Sequence, residues 1–360
     1  RCMDCGIPFC YGAGCPLKNP IPEMNAAALD GRWEEAIQIL QTTCPYPEIT
    51  GRICPALCEG SCCDAANGEA VTIRQIEREI ADRAFAGGFM KPRTPAARNG
   101  RAVAIVGSGP TGLAAASDLN LWGFDVTVYE AARHAGGLLR YGIPDFKLEK
   151  WMVERRIDLF RQEGIRFECG VKVGADVALD YLRRKYDGVL LACGAREPRD
   201  LPVAGRNLPG IHFALDFLMR QNQVIGGELA EVGAEWSARG RDVVVIGGGD
   251  TGSDCVGTSR RHGAKRVTQI ESMPRPPAMT GATKASTRSK ARARMNSPSR
   301  PGPASTKRAA KPFLPRWASR SGTVNRGRTC SVTRSRTSGA SRSRPASVVT
   351  RCTGPPPAKS

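Results

Sequence analysis

The 360-residue sequence predicts an α/β chain: an N-terminal helical, cysteine-rich domain, then nested Rossmann-like nucleotide-binding domains, then a disordered basic tail. Three observations carry that reading. The run Val103-Ala-Ile-Val-Gly-Ser-Gly-Pro-Thr-Gly-Leu113 is an apolar strand turning through glycines into a helix. Asp242-Val-Val-Val-Ile-Gly-Gly-Gly-Asp-Thr-Gly252 repeats the pattern 140 residues later. Nine of the 14 cysteines fall within the first 63 residues.

The first domain is expected over residues 1–95. Cys2, Cys5, Cys10 and Cys15 are spaced C-x2-C-x4-C-x4-C and followed by Pro16, and Cys54, Cys58, Cys62 and Cys63 form a second group. In a secreted miniprotein such density would mean disulfides. Here no secretory leader is legible and a large α/β pattern follows, which favours a reducing, cytoplasmic compartment and metal-bound thiolates. Zinc sites usually show paired C-x2-C knuckles, and only Cys2 and Cys5 have that spacing. A compact run ending in Cys-Pro fits iron–sulfur ligation better, where one run can serve two clusters. Residues 23–29 and 32–41 read as a helical pair, with Trp33, Ala36, Ile37 and Leu40 on the apolar face of the second. Thr72 opens a further helix, with Gln75 placed as in a capping box. Its apolar face carries Ile73, Ile76, Ile80 and Ala84, and Glu77 shares that face. A buried, uncompensated carboxylate is costly. Spacing therefore favours an edge position paired with Arg74 or Arg78 over one facing a metal centre. Residues 87–100, rich in Pro, Gly and Arg, read as a linker.

The next domain is expected over residues 96–240. Gly107 permits a sharp turn, Gly109 lets a pyrophosphate approach the backbone, and Gly112 lets the helix pack close to its strand. The free N–H groups of that helix then face the phosphates. Residues 125–129 form the next strand, closed by Glu130, 23 residues after Gly107, where a ribose hydroxyl needs an acceptor. The loop Gly136-Gly-Leu-Leu-Arg-Tyr-Gly-Ile-Pro144 suits either a flat ring system or an ordinary surface turn. Residues 149–163 read as a helix with Trp151, Ile157 and Phe160 as its spine, and residues 165–171 as a strand. Tyr186-Asp-Gly-Val-Leu-Leu-Ala-Cys-Gly-Ala195 is a further strand ending in small residues; Cys193 there reads as a packing residue.

A partial domain follows over residues 241–277. Gly247, Gly249 and Gly252 form the second triplet, and Glu271 closes the following strand, 24 residues after Gly247. One nucleotide domain nested in another is a two-dinucleotide flavoprotein arrangement, with one flavin and one nicotinamide nucleotide. Glu271 favours an unphosphorylated ribose. Arg260, Arg261, Lys265 and Arg275 could instead meet a 2′-phosphate, or form a solvated helix face.

Charge separates the tail, residues 278–360, from the rest. The whole net charge of +19 resides there: 19 Lys and Arg without one Asp or Glu, against 34 basic and 34 acidic residues before it. Its composition cannot bury enough apolar surface to offset ordering entropy. A basic arm binding nucleic acid would lack basic–aromatic interleaving, since Phe313 and Trp317 stand alone. A reading-frame shift near residue 278 accounts together for the abrupt onset, the missing acids and the unfinished domain. Neither a nucleic-acid nor a membrane partner is expected, as no run of 18 apolar residues occurs. The initial Arg1 suggests a chain lacking its natural start. His134, His212 and His262 lie outside any triad-like setting, and no catalytic acid–base pair stands out.

The runs Arg1-Cys-Met-Asp-Cys-Gly-Ile-Pro-Phe-Cys10, Thr50-Gly-Arg-Ile-Cys-Pro-Ala-Leu-Cys-Glu-Gly-Ser-Cys62, Gly247-Gly-Gly-Asp-Thr-Gly252 and Met273-Pro-Arg-Pro-Pro277 resemble the small (β) subunit family of bacterial glutamate synthase, over residues 1–277. The resemblance implies FAD at Gly107, Gly109, Gly112 and Glu130, and NADPH at Gly247, Gly249 and Gly252. It implies two 4Fe-4S clusters, one on Cys2, Cys5, Cys10 and Cys62, the other on Cys15, Cys54, Cys58 and Glu77. Cys63 adjoins Cys62, so the resemblance leaves either as the ligand. The implied role is electron input from NADPH to a large (α) subunit that makes L-glutamate from glutamine and 2-oxoglutarate. The rival readings are another FAD and iron–sulfur NAD(P)H oxidoreductase, pyrimidine- or ferredoxin-linked, a non-functional truncated form, and a basic-tailed nucleic-acid-binding protein.

Overall fold

The computed structural model describes residues 2–195 and 197–271. Expectations for Arg275 and for the tail lie outside the described residues. Everything described falls within one unit, Arg1–Ala278.

The front of the chain is helical: α1 (Ile21–Leu29), α2 (Trp33–Leu40), α3 (Pro47–Ile53), α4 (Leu57–Gly60) and α5 (Ile73–Ala86). A wide turn at Cys10–Gly14 and a tight one at Cys63–Asn67 hold the cysteine runs. Prolines stand in the first turns of α1 and α3, where no N–H is lost. Ala36, Ile37 and Leu40 are buried with Ile21, Met24 and Ala27 of α1 and with Ile73, Ile80 and Ala84 of α5. Trp33 is half-buried beneath the Arg83 guanidinium, 4.2 Å from its ring centre. The capping box at Thr72 does not form. The side chain of Thr72 makes no cap bond, and its carbonyl accepts from Gln75 N at 3.1 Å.

The sheet domain follows with β1 (Ala102–Val106), α6 (Pro110–Leu121), β2 (Asp125–Glu130), α7 (Leu138–Tyr141), α8 (Lys150–Gln162), β3 (Arg166–Cys169), α9 (Leu179–Lys185) and β4 (Gly188–Leu191). These four strands are parallel in the order β3-β2-β1-β4, with Val106 beside both Tyr129 and Leu191. The chain leaves β1 towards one side and returns to β4 on the other. The carboxyl end of β1 therefore lies at the switch point where α/β sheets bind ligands. Val103, Ile105, Val126 and Val128 face Met152, Val153, Ile157 and Phe160 of α8. Ala104, Val106 and Tyr129 face Leu182 and Tyr186 on the opposite side, as strand alternation requires. The expected spine residue Trp151 is instead exposed, and Met152 and Val153 take its place.

A helix that the sequence pattern did not mark, α10 (Ala214–Ile225), precedes β5 (Asp242–Ile246), α11 (Asp250–Arg261) and β6 (Arg266–Ile270). Among the described residues β5 pairs with β6 alone, in parallel. The helical front does not stand apart from the first sheet. Tyr46 and Ile49 enter the sheet's core, and Tyr46 donates its hydroxyl to Pro110 O at 2.9 Å.

Candidate cofactor sites

Gly107 leaves β1 at φ +106, and a Cβ there would lie 2.4 Å from Ala192 O, at the end of β4. Gly112 is fixed just as tightly: its Cβ would lie 1.9 Å from Gly107 O. Gly109 differs: a methyl group there would meet no atom within 4 Å, and its backbone angles are ordinary, at φ −68 and ψ −178. Two glycines thus build the turn, and the third leaves open space over the N-terminus of α6. The Glu130 carboxylate is buried beside it. One oxygen accepts from Ser108 N at 2.9 Å and Ser108 Oγ at 2.5 Å, and the other from Ala132 N at 2.8 Å. Ser108 Oγ also accepts from Gly136 N at 2.9 Å. Gly137 packs on Gly109 so closely that a Cβ would lie 2.6 Å from its Cα. The structure thus folds the Gly136–Gly137 loop onto the glycine turn. Cys193 is exposed, with Sγ 3.7 Å from Val106 O, so the packing role read for it does not hold.

The second cradle has the same backbone angles, although a Cβ on Gly247 would meet no atom within 4 Å. Gly247 has φ +116, Gly249 has φ −71 and ψ −175, and a Cβ on Gly252 would lie 2.1 Å from Gly247 O. Gly107 N donates to Tyr129 O, and Gly247 N to Ile270 O, both at 2.8 Å. Gly248, which the sequence pattern does not single out, lies against the Glu271 carboxylate: a Cβ there would meet it at 1.9 Å. Arg260 and Arg261 do not reach this turn. They occupy the last turn of α11, about 15 Å along the axis from its start at about 1.5 Å per residue. Arg261 stacks over Phe146, 3.7 Å from the ring centre. Lys265 lies at the same far end, ahead of β6, so the proximity to a 2′-phosphate expected of these residues is not found.

Cys2, Cys5, Cys10, Cys62 and Cys63 line one cavity of the helical front, over an apolar floor that includes Ile21 and Ile73. Burial pushes the Cys10 thiol up to about 11, and the charges of Cys2 and Cys62 add to the rise. The remaining cysteines gather elsewhere. Gly14 packs on the backbone of Cys58, where a Cβ would lie 2.7 Å from Cys58 Cα, which brings Cys15 beside α4. Burial pushes the Cys58 thiol up to about 12, and Cys15, Glu59, Cys54 and Glu77 contribute in turn. Cys54 Sγ accepts from Ala56 N at 3.4 Å.

The edge position expected for Glu77 is overturned. Its carboxylate is buried, accepts from the Thr50 hydroxyl, and lies 3.9 Å from Cys44 Sγ. Arg74 donates instead to Cys54 O and Arg78 to Asp82. Burial lifts the Glu77 carboxyl to about 7. Among the described residues no three His, Cys, Asp or Glu side chains converge as a single metal ion would need. A 4Fe-4S cluster makes a different demand, since each ligand binds a separate iron. Five thiols around one cavity, and three thiols with a buried carboxylate in a second group, fit that donor set. The histidines serve elsewhere: His262 Nε2 lies 2.7 Å from Gln221 Oε1, and His212 stacks on Trp236 at 4.0 Å.

Residues 1–89 match the family model described as dihydropyrimidine dehydrogenase domain II, 4Fe-4S cluster, and residues 101–296 match that of the pyridine nucleotide-disulphide oxidoreductases. The chain is similar to a glutamate synthase NADPH small chain of Mycobacterium tuberculosis, 52% identical over 280 residues, covering 77% of this chain and 57% of that one. It is 49% identical over 289 residues to that of Bacillus subtilis, covering 78% and 59%. The chain thus spans less than two thirds of the curated relatives it matches. Among solved structures, a His57Gln mutant of FprA from Mycobacterium tuberculosis aligns with a TM-score of 0.40 and 26% identity, over 47% of this chain and 43% of that one. The chain belongs to the pyridine nucleotide-disulphide oxidoreductase family, and the glutamate synthase small chains are its homologues.

Proposed function

We propose that the chain is the electron-input subunit of a cytoplasmic glutamate synthase, taking electrons from NADPH to a large subunit that makes L-glutamate from glutamine and 2-oxoglutarate. The observation that carries the reading is the doubled cradle: Gly107, Gly109 and Gly112 matched by Gly247, Gly249 and Gly252 in the same backbone geometry, on one chain with two thiol groups. FAD is assigned to the first cradle and NADPH to the second. One 4Fe-4S cluster is assigned to Cys2, Cys5, Cys10 and either Cys62 or Cys63, the other to Cys15, Cys54, Cys58 and Glu77.

When bound, the flavin and clusters supply the conversion of a hydride's electron pair into single-electron transfers. The chain's own residues bind and orient. The N–H groups at the start of α6 and α11 would meet the two pyrophosphates. The Glu130 oxygen that accepts only from Ala132 N keeps acceptor capacity, which a ribose hydroxyl can use. The apolar floor of the five-thiol cavity excludes water and so tunes a cluster's potential. Hydride transfer needs no side-chain acid or base.

Anaerobic reconstitution with FAD, iron and sulfide tests the reading. The expected product shows a flavin spectrum with a broad iron–sulfur shoulder, bleaches with NADPH, and is captured by a glutamate synthase large subunit. A protein that stays colourless overturns it. The match of residues 1–89 to a dihydropyrimidine dehydrogenase domain favours one second reading, a pyrimidine-linked reductase. Uracil-dependent NADPH oxidation by the reconstituted chain, without capture of the large subunit, would establish that alternative.

A further inference from the structure

The two thiol groups are unequal. The group around Cys58 offers three thiols, with the Glu77 carboxylate beside them. The cavity at the N-terminus offers five. A cubane there has four irons to be ligated, so one thiol is in excess. The backbone explains how two consecutive residues can both reach the cavity. Cys62 is extended, at φ −74 and ψ 127, and the tight turn begins at Cys63, so the chain bends between the two side chains. Both line the cavity together with Cys2, Cys5 and Cys10.

We infer that Cys62 and Cys63 are alternative ligands to one corner of the N-terminal cluster, exchanging on a single iron. The inference rests on the iron–sulfur reading above. In the exchange a bond forms from Cys63 Sγ to iron as the bond from Cys62 Sγ breaks. The proton of the incoming thiol passes to the departing thiolate, and no electron changes hands. Cys62 packs against the apolar core of the helical front, whereas Cys63 lies outside that packing. The two ligation states therefore differ in the packing around one iron, which shifts cluster potential.

The test uses the full chain, reconstituted anaerobically with iron and sulfide. Cys62→Ala, Cys63→Ala and the double variant are compared by iron and sulfide content and by the EPR spectrum after reduction with dithionite. Each single variant is expected to keep the wild-type iron content, with Cys62→Ala and Cys63→Ala giving distinct EPR line shapes. The double variant is expected to lose one cluster. Iron loss in either single variant as large as in the double overturns the exchange. A second measurement needs no variant: brief alkylation of the reconstituted wild type, then peptide mass mapping. Label divided between Cys62 and Cys63 supports the inference, and label confined to one of them overturns it. A wild type that takes up no iron would overturn the iron–sulfur reading itself and the exchange with it; a wild type that binds iron through one fixed thiol overturns the exchange alone.

Discussion

A methyl group at Gly107 would meet Ala192 O at 2.4 Å from a residue held at φ +106, whereas a methyl group at Gly109 would meet no atom within 4 Å. The two positions therefore separate folding from binding. Gly107→Ala combines a left-handed backbone, itself costing about 1–2 kcal/mol, with a backbone clash. It should lower the thermal midpoint clearly and lose flavin together with stability. Gly109→Ala should melt with the wild type yet retain little flavin, because its methyl occupies the space left for the pyrophosphate. Calorimetry and flavin absorbance measure both; stoichiometric flavin in Gly109→Ala would refute the cradle assignment. Lys150 supplies a pH dependence. Its ammonium is buried, donating to Leu139 O and Leu148 O, and burial lowers its pKa to about 8. Between pH 8 and the ordinary lysine value the unfolded chain holds the proton and the folded chain does not, so this group's contribution to stability rises with pH there. Relative to Lys150→Met, wild-type stability should improve by up to about 3 kcal/mol across that window, at about 1.4 kcal/mol per pH unit. Denaturant melts at several pH values would read it, and a parallel pH course for the two proteins would refute it. The glycine triplets were legible because their reason is local backbone geometry. Glu77 was misread because periodicity shows which helix face a side chain shares, but not that Thr50 and Cys44 wait opposite it.

Between elements, the seam of α3 and α8 is where the helical front meets the sheet domain. Arg156 and Glu48 face each other there with no solvent exposure at either side chain, joined by bonds of 2.6 and 2.7 Å. Such a pair need not add net stability, but removing one partner strands the other charge in the interior. Glu48→Ala and Arg156→Ala should each cost about 3–5 kcal/mol. An apolar pair, Glu48→Leu with Arg156→Met, should recover most of that loss, and a double-mutant cycle by urea melts would measure the coupling. Additive losses in the cycle would show that the two side chains do not act as a unit. Sequence patterning could not reveal this seam. A buried arginine reads as a solvent position in any apolar stripe, and of the adjacent pair Trp151 and Met152 it is Met152 that enters the core. The strands of the first sheet and the helices after each glycine turn were legible because strand, turn and helix are contiguous in sequence. The α10 helix was not, since its partners lie in α7 and α11 rather than beside it in the chain.

Across the molecule, two cradles of equal local geometry rest on unequal supports. The first lies on a four-stranded sheet in which Ala104 and Ile105 are fully buried. The second lies on β5 and β6, and among the described residues Val244 and Ile246 of β5 are 60% and 70% exposed. Val245 on the other face packs with Leu218 of α10 and Cys255 of α11, so this ladder is covered on one side only, and two strands with one bare apolar face are weakly supported in water. Local opening follows the free energy of the unit concerned, not that of the whole fold. Amides of β5 and β6 should therefore exchange with solvent at least about 100-fold faster than those of β1 and β2, a difference of about 3 kcal/mol in opening free energy. The same opening weakens ligand binding, because apparent affinity falls with the fraction of molecules in which the site is formed. NADPH should bind weakly, by calorimetry, and its addition should slow exchange in β5 and β6 while leaving β1 and β2 unchanged. Equal protection in both sheets, or a tight stoichiometric NADPH complex, would mean that the local glycine geometry suffices without the support of a larger sheet.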